Sequence, residues 1–518
     1  MFARPARLVA VGCAAVIVLL GCTPDTESAP PTTARSGSAS LPDVPADLVE
    51  FYDQPVRWSG CDGDFDCTRV RVPVDYADPS GDSLELEVVR LRARGEPQGS
   101  LLLNPGGPGG SGVDYARAAR VVLTPAVTAA YDVIGFDPRG VTSSEPVDCI
   151  DDAELDALFT ADGTPDTPAE VADIAATSTL LGQGCKTRSP QIAPYMDTVS
   201  AARDMDILRA VLGQEKLDFL GKSYGTYLGA QYAELFPGRV GRMVLDGVLP
   251  SSLNSDEITF GQAKAFDVAL RRFVADCAGQ DDCPLPTGSV DEGIARIQAF
   301  LDDLDANPLP GIGERVLTQA LGTYAILSYL YFPPDDWTDL RFGLEAAFQG
   351  DGSVLMEMMD RRTQRQNDGT FADNGNEAFY AVSCLDRPAV GGVEHAQELA
   401  AQWAKDAPVF GAYLAWGNLP CWEWPMGPGT AQAADDPPVF RAEGSADILV
   451  VSTTYDMATP HEWGVQVADE LDDATLLTFD GDGHTAYTSG SRCIDDAVDA
   501  YLLSGAMPGA GTVCLPGA

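Results

Sequence analysis

The chain has 518 residues, with 77 acidic and 33 basic side chains and a formal net charge of −44. A surface this acidic repels phosphate backbones and anionic lipid headgroups, which excludes nucleic-acid binding and electrostatic attachment to membranes. A structural metal site is also disfavoured, because the sequence has three histidines and no Cys-x-x-Cys pair. The apolar fraction of 45% is ample for a large core at this length.

Residues 1–21 have the pattern of a lipoprotein signal peptide. Arg4 and Arg7 precede an apolar stretch that is too short for a transmembrane helix. The stretch ends in Leu-Leu-Gly-Cys, which resembles a lipobox, so we expect cleavage before Cys22 and lipidation of that cysteine. An ordinary cleaved signal with an incidental cysteine is the alternative. Residues 22–46 then predict a flexible tether rich in Ser, Thr and Pro.

The cysteine count indicates an oxidising, exported setting. Of twelve cysteines, Cys13 leaves with the signal and Cys22 is expected to carry lipid, so ten remain. An even number in an exported chain predicts disulfide bonds. The simplest pairing joins near neighbours, and the sequence alone leaves other connectivities open. The expected pairs are Cys61–Cys67, Cys149–Cys185, Cys277–Cys283, Cys384–Cys421 and Cys493–Cys514.

Residues 47–250 predict an α/β fold with a mostly parallel central sheet, because short apolar runs alternate with helical stretches. The runs LLLN, DVIGF and RMVLD are almost continuously apolar, as expected of strands that are covered on both faces. The predicted strands are 84–92, 100–104, 131–136, 217–220 and 242–246.

A glycine-rich loop, NPGGPGGSG at residues 104–112, follows the second of these strands. Such a run lets backbone amides approach a substrate without obstruction, so Gly106 and Gly107 are candidate oxyanion donors. A phosphate-binding loop is the rival interpretation. It is disfavoured because no Gly-Lys-[Ser/Thr] completes the loop. We therefore expect no cofactor.

Residues 221–225, GKSYG, lie between the strand at 217–220 and a helical stretch at 226–235. A Gly-x-Ser-x-Gly in this position is the pattern of a nucleophile elbow, where small neighbours let the serine occupy a strained turn. The motif alone is weak, and its strand-to-helix context makes Ser223 the candidate nucleophile. The amide of Tyr224 is then the second expected oxyanion donor.

Residues 251–437 predict a large inserted helical cap, because helical stretches replace strands there. The sheet resumes in residues 438–518, with strands at 448–452 and 475–479 and a closing helix at 495–503. The helices predicted in the cap are 258–277, 290–305, 338–348 and 376–384.

A serine nucleophile needs a histidine base, and the base needs a carboxylate that holds it in one tautomer. His484 follows the last predicted strand in a Gly-Asp-Gly-His loop, whereas His395 and His461 belong to helical stretches. The acid is expected after the preceding strand, which selects Asp456. Asp480 is the reserve.

Several motifs then occur in an order that carries a family resemblance. They are VPVDY (72–76), NPGGPGGSG (104–112), DPRG (137–140), GKSYG (221–225), DMATP (456–460), GH (483–484) and the spaced Cys493–Cys514 region. This order resembles the tripeptidyl aminopeptidase group of exported bacterial α/β-hydrolases, which is close to the prolyl aminopeptidases. One departure is Thr485, where the family usually has glycine.

The resemblance covers nearly all of the mature chain and implies an α/β-hydrolase fold in which 251–437 is the cap. It implies that Ser223, Asp456 and His484 are nucleophile, orienting acid and base. The expected function is a serine aminopeptidase that releases short N-terminal peptides through an acyl-enzyme, lipid-anchored on the outer side of the cell membrane or shed from it. A carboxylesterase or lipase of the cell envelope is the alternative. A catalytically idle binding protein is disfavoured by the complete triad.

Two carboxylates are candidates for binding the substrate's free N-terminus. An aminopeptidase pairs the substrate ammonium with a buried acid. Glu377 and Asp386 lie in a helical stretch of the predicted cap, and either could instead be a surface acid or part of an ion pair. The expected partner is thus a peptide with a free N-terminus, and the sequence indicates no oligomeric state.

Overall fold

The computed structural model describes residues 44–389, 391–424 and 437–517. The predicted signal peptide 1–21, the lipidation site Cys22 and the tether up to residue 43 lie outside these residues, as do residues 425–436 of the predicted cap. Within the described ranges, no helix has both the length and the apolarity that crossing a membrane requires.

Twelve strands run through the described residues, and ten of them form one sheet. In chain order the strands are β1 (Ser59–Asp62), β2 (Phe65–Pro73), β3 (Ser83–Leu91), β4 (Gly99–Asn104), β5 (Tyr131–Phe136), β6 (Leu217–Lys222), β7 (Val240–Asp246), β8 (Leu309–Pro310), β9 (Val316–Leu317), β10 (Ile448–Tyr455), β11 (Ala474–Asp482) and β12 (Val513–Cys514).

The order across the large sheet is β1-β2-β3-β5-β4-β6-β7-β10-β11-β12, and β8 pairs with β9 apart from it. Neighbours from β5 to β12 are parallel, while β1, β2, β3 and β5 pair antiparallel. The predicted mostly parallel sheet is therefore confirmed. Five strands were not predicted, namely β1, β2, β8, β9 and β12. Of these, β2 alternates exposed Arg69 and Arg71 with buried Val70 and Val72.

Helices cover both faces of this sheet and fill the long segment between β7 and β10. They are α1 (Val49–Tyr52), α2 (Gly112–Arg117), α3 (Ala119–Val122), α4 (Pro125–Ala130), α5 (Asp152–Thr160), α6 (Pro168–Arg188), α7 (Thr198–Val211), α8 (Tyr224–Leu235), α9 (Ser255–Cys277), α10 (Val290–Ala306), α11 (Gln319–Ser328), α12 (Asp335–Phe348), α13 (Ser353–Thr363), α14 (Gly375–Asp386), α15 (Val393–Trp403), α16 (Gly411–Leu414), α17 (His461–Glu470) and α18 (Arg492–Ser504).

One face of the sheet packs against α2, α4 and α18. Its buried side chains include Leu103, Leu220 and Val451, which lie in one apolar cluster with Val127 of α4 and Val498 of α18. Burial of each such side chain contributes about 1.5–3 kcal/mol of hydrophobic free energy.

The opposite face packs against α8 and α17. Successive strand residues point to opposite faces, so Phe219 and Leu245 lie on this side. A Cβ on Gly229 of α8 would come within 2.7 Å of the Phe219 ring and 2.8 Å of Leu245. Glycine thus lets α8 lie directly on the sheet, which places the start of this helix at the end of β6.

The described residues from the start of α9 to residue 424, namely 255–389 and 391–424, are called the insert below. It has its own apolar cluster, which includes Phe273, Ile297, Leu321, Leu340 and Leu355. Its first helix is fixed by a reciprocal cap, in which Asn254 accepts from Glu257 N–H while the Glu257 side chain accepts from Asn254 N–H. The insert is therefore a packed body and not a loose loop.

Five disulfide bonds tie the described chain together, and the predicted pairing is confirmed at each of them. Two join cysteines six residues apart, and the other three close rings of 21 to 37 residues. Closing a ring lowers the entropy of the unfolded chain, so the longer rings stabilise the fold more in that description. The bonds are Cys61–Cys67, Cys149–Cys185, Cys277–Cys283, Cys384–Cys421 and Cys493–Cys514.

Candidate active site

The topology creates a crevice at the carboxyl ends of β4 and β6. These strands are neighbours, yet the chain leaves β4 towards β5 on one side and β6 towards β7 on the other. In open parallel sheets, ligands bind outside the strand ends at such a switch point. The glycine-rich loop follows β4 and the Gly-x-Ser-x-Gly motif follows β6, so the two predicted motifs meet at this place.

Ser223 occupies the turn between β6 and α8 with φ 56° and ψ −128°. A serine in this region of backbone space is strained, and surrounding structure must hold it there. A Cβ on Gly221 would lie 2.3 Å from Gly225 O, and one on Gly225 would lie 2.7 Å from Asn104 O. Both flanking positions therefore need glycine. This is the geometry of a nucleophile elbow.

The glycine-rich loop lies against this elbow. A Cβ on Gly106 would be 2.9 Å from Tyr224 N. Three amides were predicted to donate to the oxyanion. That of Gly106 already donates to Asn104 Oδ1 at 2.9 Å, so it is not free to bind an oxyanion. The amides of Gly107 and Tyr224 donate to no protein group within the described residues.

His484 is paired with Asp456. The Nδ1 atom of His484 lies 2.9 Å from both carboxylate oxygens, and both side chains are buried. The carboxylate also accepts from Ala458 N–H at 2.9 Å and from Thr459 N–H at 2.8 Å. With its orientation fixed by these donors, Asp456 can hold His484 in the tautomer whose Nε2 accepts a proton.

The elbow and the histidine border the same short backbone segment. Ser223 N–H donates to Asp246 O at 3.0 Å. The next residue, Gly247, has φ 73°, and a Cβ there would lie 3.3 Å from His484 Cε1. Asp246 and Gly247, at the end of β7, therefore lie against the nucleophile turn and the imidazole respectively.

The insert also contacts the histidine. His484 N–H donates to Tyr331 O at 2.8 Å, and the Tyr331 ring stands edge-on to the imidazole at 5.5 Å between centroids. Gly483 is wedged beside the insert, since a Cβ there would lie 3.0 Å from Pro333 Cδ. Burial raises the pKa of the Tyr331 hydroxyl well above its ordinary value.

The rejected candidates lie elsewhere. His395 Nε2 is 2.7 Å from Asp256 Oδ2, a pair between α15 and α9 of the insert. His461 Nδ1 lies 3.0 Å from Ser452 Oγ at the start of α17, and burial lowers its pKa. The reserve acid Asp480 is exposed, so Asp456 holds the position on His484.

The two candidate ammonium ligands both already accept hydrogen bonds. Glu377 Oε1 accepts from Cys149 N–H at 2.6 Å and Ile150 N–H at 3.0 Å, whereas its Oε2 has no hydrogen-bond partner within the described residues. Both carboxylate oxygens of Asp386 accept hydrogen bonds from Thr198, one from its N–H at 2.8 Å and the other from its hydroxyl at 2.5 Å. Burial raises the pKa of Glu377 and raises that of Asp386 to about 7.

The helix that carries Glu377, α14, contacts the glycine-rich loop. A Cβ on Gly109 would lie 2.5 Å from Gly375 O and 3.2 Å from Ala378 Cβ, so the first turn of α14 packs on this loop. No local pattern predicts that contact, since Gly109 and Gly375 are far apart along the chain. Within the described residues, no cluster of three or more His, Cys, Asp or Glu side chains could hold a metal ion.

The chain is similar to known proteins along most of its length. The family model described as TAP-like protein matches residues 407–514. Serine protease Hip1 of Mycobacterium tuberculosis is 35% identical over 481 residues, which are 89% of this chain and 91% of Hip1.

Two further relatives carry different names. Carboxylesterase B of M. tuberculosis is 37% identical over 459 residues, 87% of this chain and 86% of the relative. Tripeptidyl aminopeptidase of Streptomyces lividans is 32% identical over 481 residues, which are 89% of this chain and 87% of that relative. Among solved structures, esterase E22 is similar with a TM-score of 0.39 and 13% identity, over 85% of this chain and 100% of that one.

Proposed function

Because the chain belongs to the tripeptidyl-aminopeptidase-like family of α/β-hydrolases, we propose that this serine hydrolase is an exported aminopeptidase that releases short peptides from a free N-terminus. The observation that carries the proposal is the strained Ser223 turn beside the buried His484–Asp456 pair. A serine protease and a tripeptidyl aminopeptidase among the relatives favour peptide substrates.

In this mechanism Ser223 Oγ attacks the carbonyl carbon of the scissile peptide bond while His484 Nε2 takes its proton. The Asp456 carboxylate stabilises the imidazolium that forms. The amides of Gly107 and Tyr224 donate to the developing oxyanion, and losing one such donor typically costs about 100- to 1000-fold in turnover. His484 then protonates the leaving amine, and water releases the N-terminal fragment from Ser223.

Glu377 is the proposed ligand of the substrate's ammonium group. Its Oε1 is fixed by two backbone amides, its Oε2 is left without a hydrogen-bond partner in the described chain, and its helix turn packs on the glycine-rich loop. Asp386 is the weaker candidate, because Thr198 occupies both of its oxygens. Glu377→Gln keeps the two amide bonds and should raise KM for free-amine peptides, with Asp386→Asn as the comparison.

The test of the reaction is hydrolysis of one tripeptide amide, offered with a free and with an acetylated N-terminus, beside a short-chain ester. Rapid cleavage of the free peptide with little cleavage of the acetylated one supports an aminopeptidase, and Ser223→Ala should abolish it. Cleavage of the ester with neither peptide cut would instead establish the second candidate, an envelope carboxylesterase, which the 37% identical carboxylesterase B favours.

The proposal includes export and lipid anchoring through Cys22. It rests on the signal-like residues 1–21 and on the five disulfide bonds, which suit an oxidising compartment. Expression with a labelled fatty acid should give lipidated protein in the membrane fraction, and Cys22→Ala should abolish the label. Equal labelling of the variant would refute the assignment of Cys22.

A further inference from the structure

Asp246, the last residue of β7, connects the two loops that carry the nucleophile and the base. Its backbone oxygen accepts from Ser223 N–H at 3.0 Å. Its fully buried carboxylate accepts from Ala486 N–H at 2.9 Å and Tyr487 N–H at 3.0 Å. A single residue therefore binds both the turn of Ser223 and the backbone that follows His484.

Lys222, the residue before the nucleophile, reaches the same backbone. Its buried Nζ donates to Tyr487 O at 2.7 Å and lies 3.4 Å from Thr485 Oγ1 and 3.5 Å from Asp246 Oδ2. Burial disfavours the charged form, but interaction with Tyr115 and Asp246 outweighs it, so the pKa of Lys222 is raised. The ammonium and the carboxylate thus neutralise each other inside the protein.

The histidine loop needs such an anchor because its backbone is strained. Thr485 has φ 67°, a region that a β-branched residue rarely adopts. Its N–H donates to Asp456 Oδ2 at 3.2 Å, and its hydroxyl faces Lys222 Nζ. Strained residues persist only where their surroundings hold them, and here the surroundings are Asp456, Lys222 and Asp246.

We propose that Lys222 and Asp246 are positioning residues, which act as one ion pair to fix the histidine loop against the nucleophile turn. The inference rests on the proposed function of Ser223 and His484 and adds the groups that set their relative position. Neither side chain needs to touch substrate. Nucleophile and base tolerate little displacement, since a shift of about 1 Å can cost about 100-fold in rate.

The test is the double variant Lys222→Met/Asp246→Asn, which removes both charges and leaves no unpaired buried ion. Two rates are measured, namely phosphonylation of Ser223 by a small fluorophosphonate and turnover of the free-amine tripeptide amide. We expect both the phosphonylation rate and kcat to fall about 10- to 100-fold, with KM within about twofold, because substrate contacts are intact.

The matched control is Arg315→Met/Asp360→Asn, which removes a bidentate ion pair of the insert with N···O distances of 2.6 and 2.9 Å. It should leave the phosphonylation rate unchanged. A purely structural role for Lys222 and Asp246 would lower Tm yet leave the rate per folded molecule at the wild-type value, and that result overturns the inference.

A second variant keeps the inference testable if Lys222→Met/Asp246→Asn does not fold. Lys222→Gln/Asp246→Asn also removes both charges but keeps a polar side chain at each position, and the same loss of phosphonylation rate is expected. A folded Lys222→Gln/Asp246→Asn protein that reacts as fast as wild type overturns the inference while the proposed function stands. If wild-type Ser223 does not react at all, the proposed function itself fails.

Discussion

Gly106 and Ser223 approach so closely that a Cβ on Gly106 would stand 2.8 Å from Ser223 Cβ and 2.5 Å from Lys222 O. Such distances do not occur between real side chains and backbone, so glycine at 106 is a condition for the contact between the two loops. The positive φ of 94° at Gly106 adds a second requirement for glycine.

Gly106→Ala should therefore push the glycine-rich loop away from the elbow and lower kcat/KM by about 100-fold or more. The measurement is turnover of the free-amine tripeptide amide, with circular dichroism to verify folding. Gly95→Ala is the control, because a Cβ at Gly95 meets nothing within 4 Å. Equal activity of the two variants would show that the loop contact is irrelevant to turnover.

Asp456→Asn should lower kcat by about ten-thousand-fold, the loss known for the equivalent change in serine proteases. An amide at this position offers an N–H to His484 Nδ1, which favours the tautomer that cannot accept the serine proton. The exposed Asp480 directly precedes the Gly-Asp-Gly-His loop at residues 481–484, and Asp480→Asn should leave turnover unchanged. A larger loss in the Asp480 variant would reverse the assignment of the acid.

Thr485→Gly should keep activity within about threefold and raise the free energy of unfolding by up to about 1 kcal/mol. A left-handed conformation costs a non-glycine residue roughly 1–2 kcal/mol, and glycine removes this cost. The greater freedom of glycine in the unfolded chain offsets about 0.5–1 kcal/mol of the resulting stabilisation. Urea unfolding of both proteins measures the difference. A loss of 2 kcal/mol would mean that the Thr485 side chain stabilises the loop more than its backbone strains it.

Asp386→Asn should change how stability depends on pH. Burial raises the pKa of Asp386 from its ordinary value near 3.8 to about 7, so between these values the folded state binds more protons than the unfolded state. This group therefore lowers stability as pH rises from about 4 to about 7. The variant lacks the titration, so its stability relative to wild type should increase over that range.

Unfolding in urea at pH 4.5 and pH 8 tests this expectation, since the variant-minus-wild-type difference should be more positive at pH 8. The exposed Asp406 provides the control, and Asp406→Asn should show the same difference at both pH values. A pH-independent difference for Asp386→Asn would mean that the carboxyl is hydrated in the folded state.

Local patterns predicted the strands that surround the crevice and brought Ser223, Asp456 and His484 forward as candidates. Each depends on neighbours along the chain: an apolar run, a following turn, a helix start. The pairing of His484 with Asp456 could be predicted because the order of strands limits which loops can meet. The catalytic roles of these residues stay predictions until the variants are measured.

Contacts between distant segments could not be predicted in the same way. Asp246 was visible only as the polar end of the run RMVLD, and its bonds to Ala486 and Tyr487 depend on the register between β7 and the histidine loop. The occupation of the Gly106 amide by Asn104 Oδ1 was likewise hidden, because glycine runs do not reveal which amides point outward.

The hydrogen bond from His484 N–H to Tyr331 O crosses from the hydrolase sheet to the insert. The insert thus supports the backbone of the proposed base. A displacement of Tyr331 would therefore also displace the backbone of His484. A chimera that exchanges inserts between relatives must keep the segment 331–333, or it removes a support of the histidine.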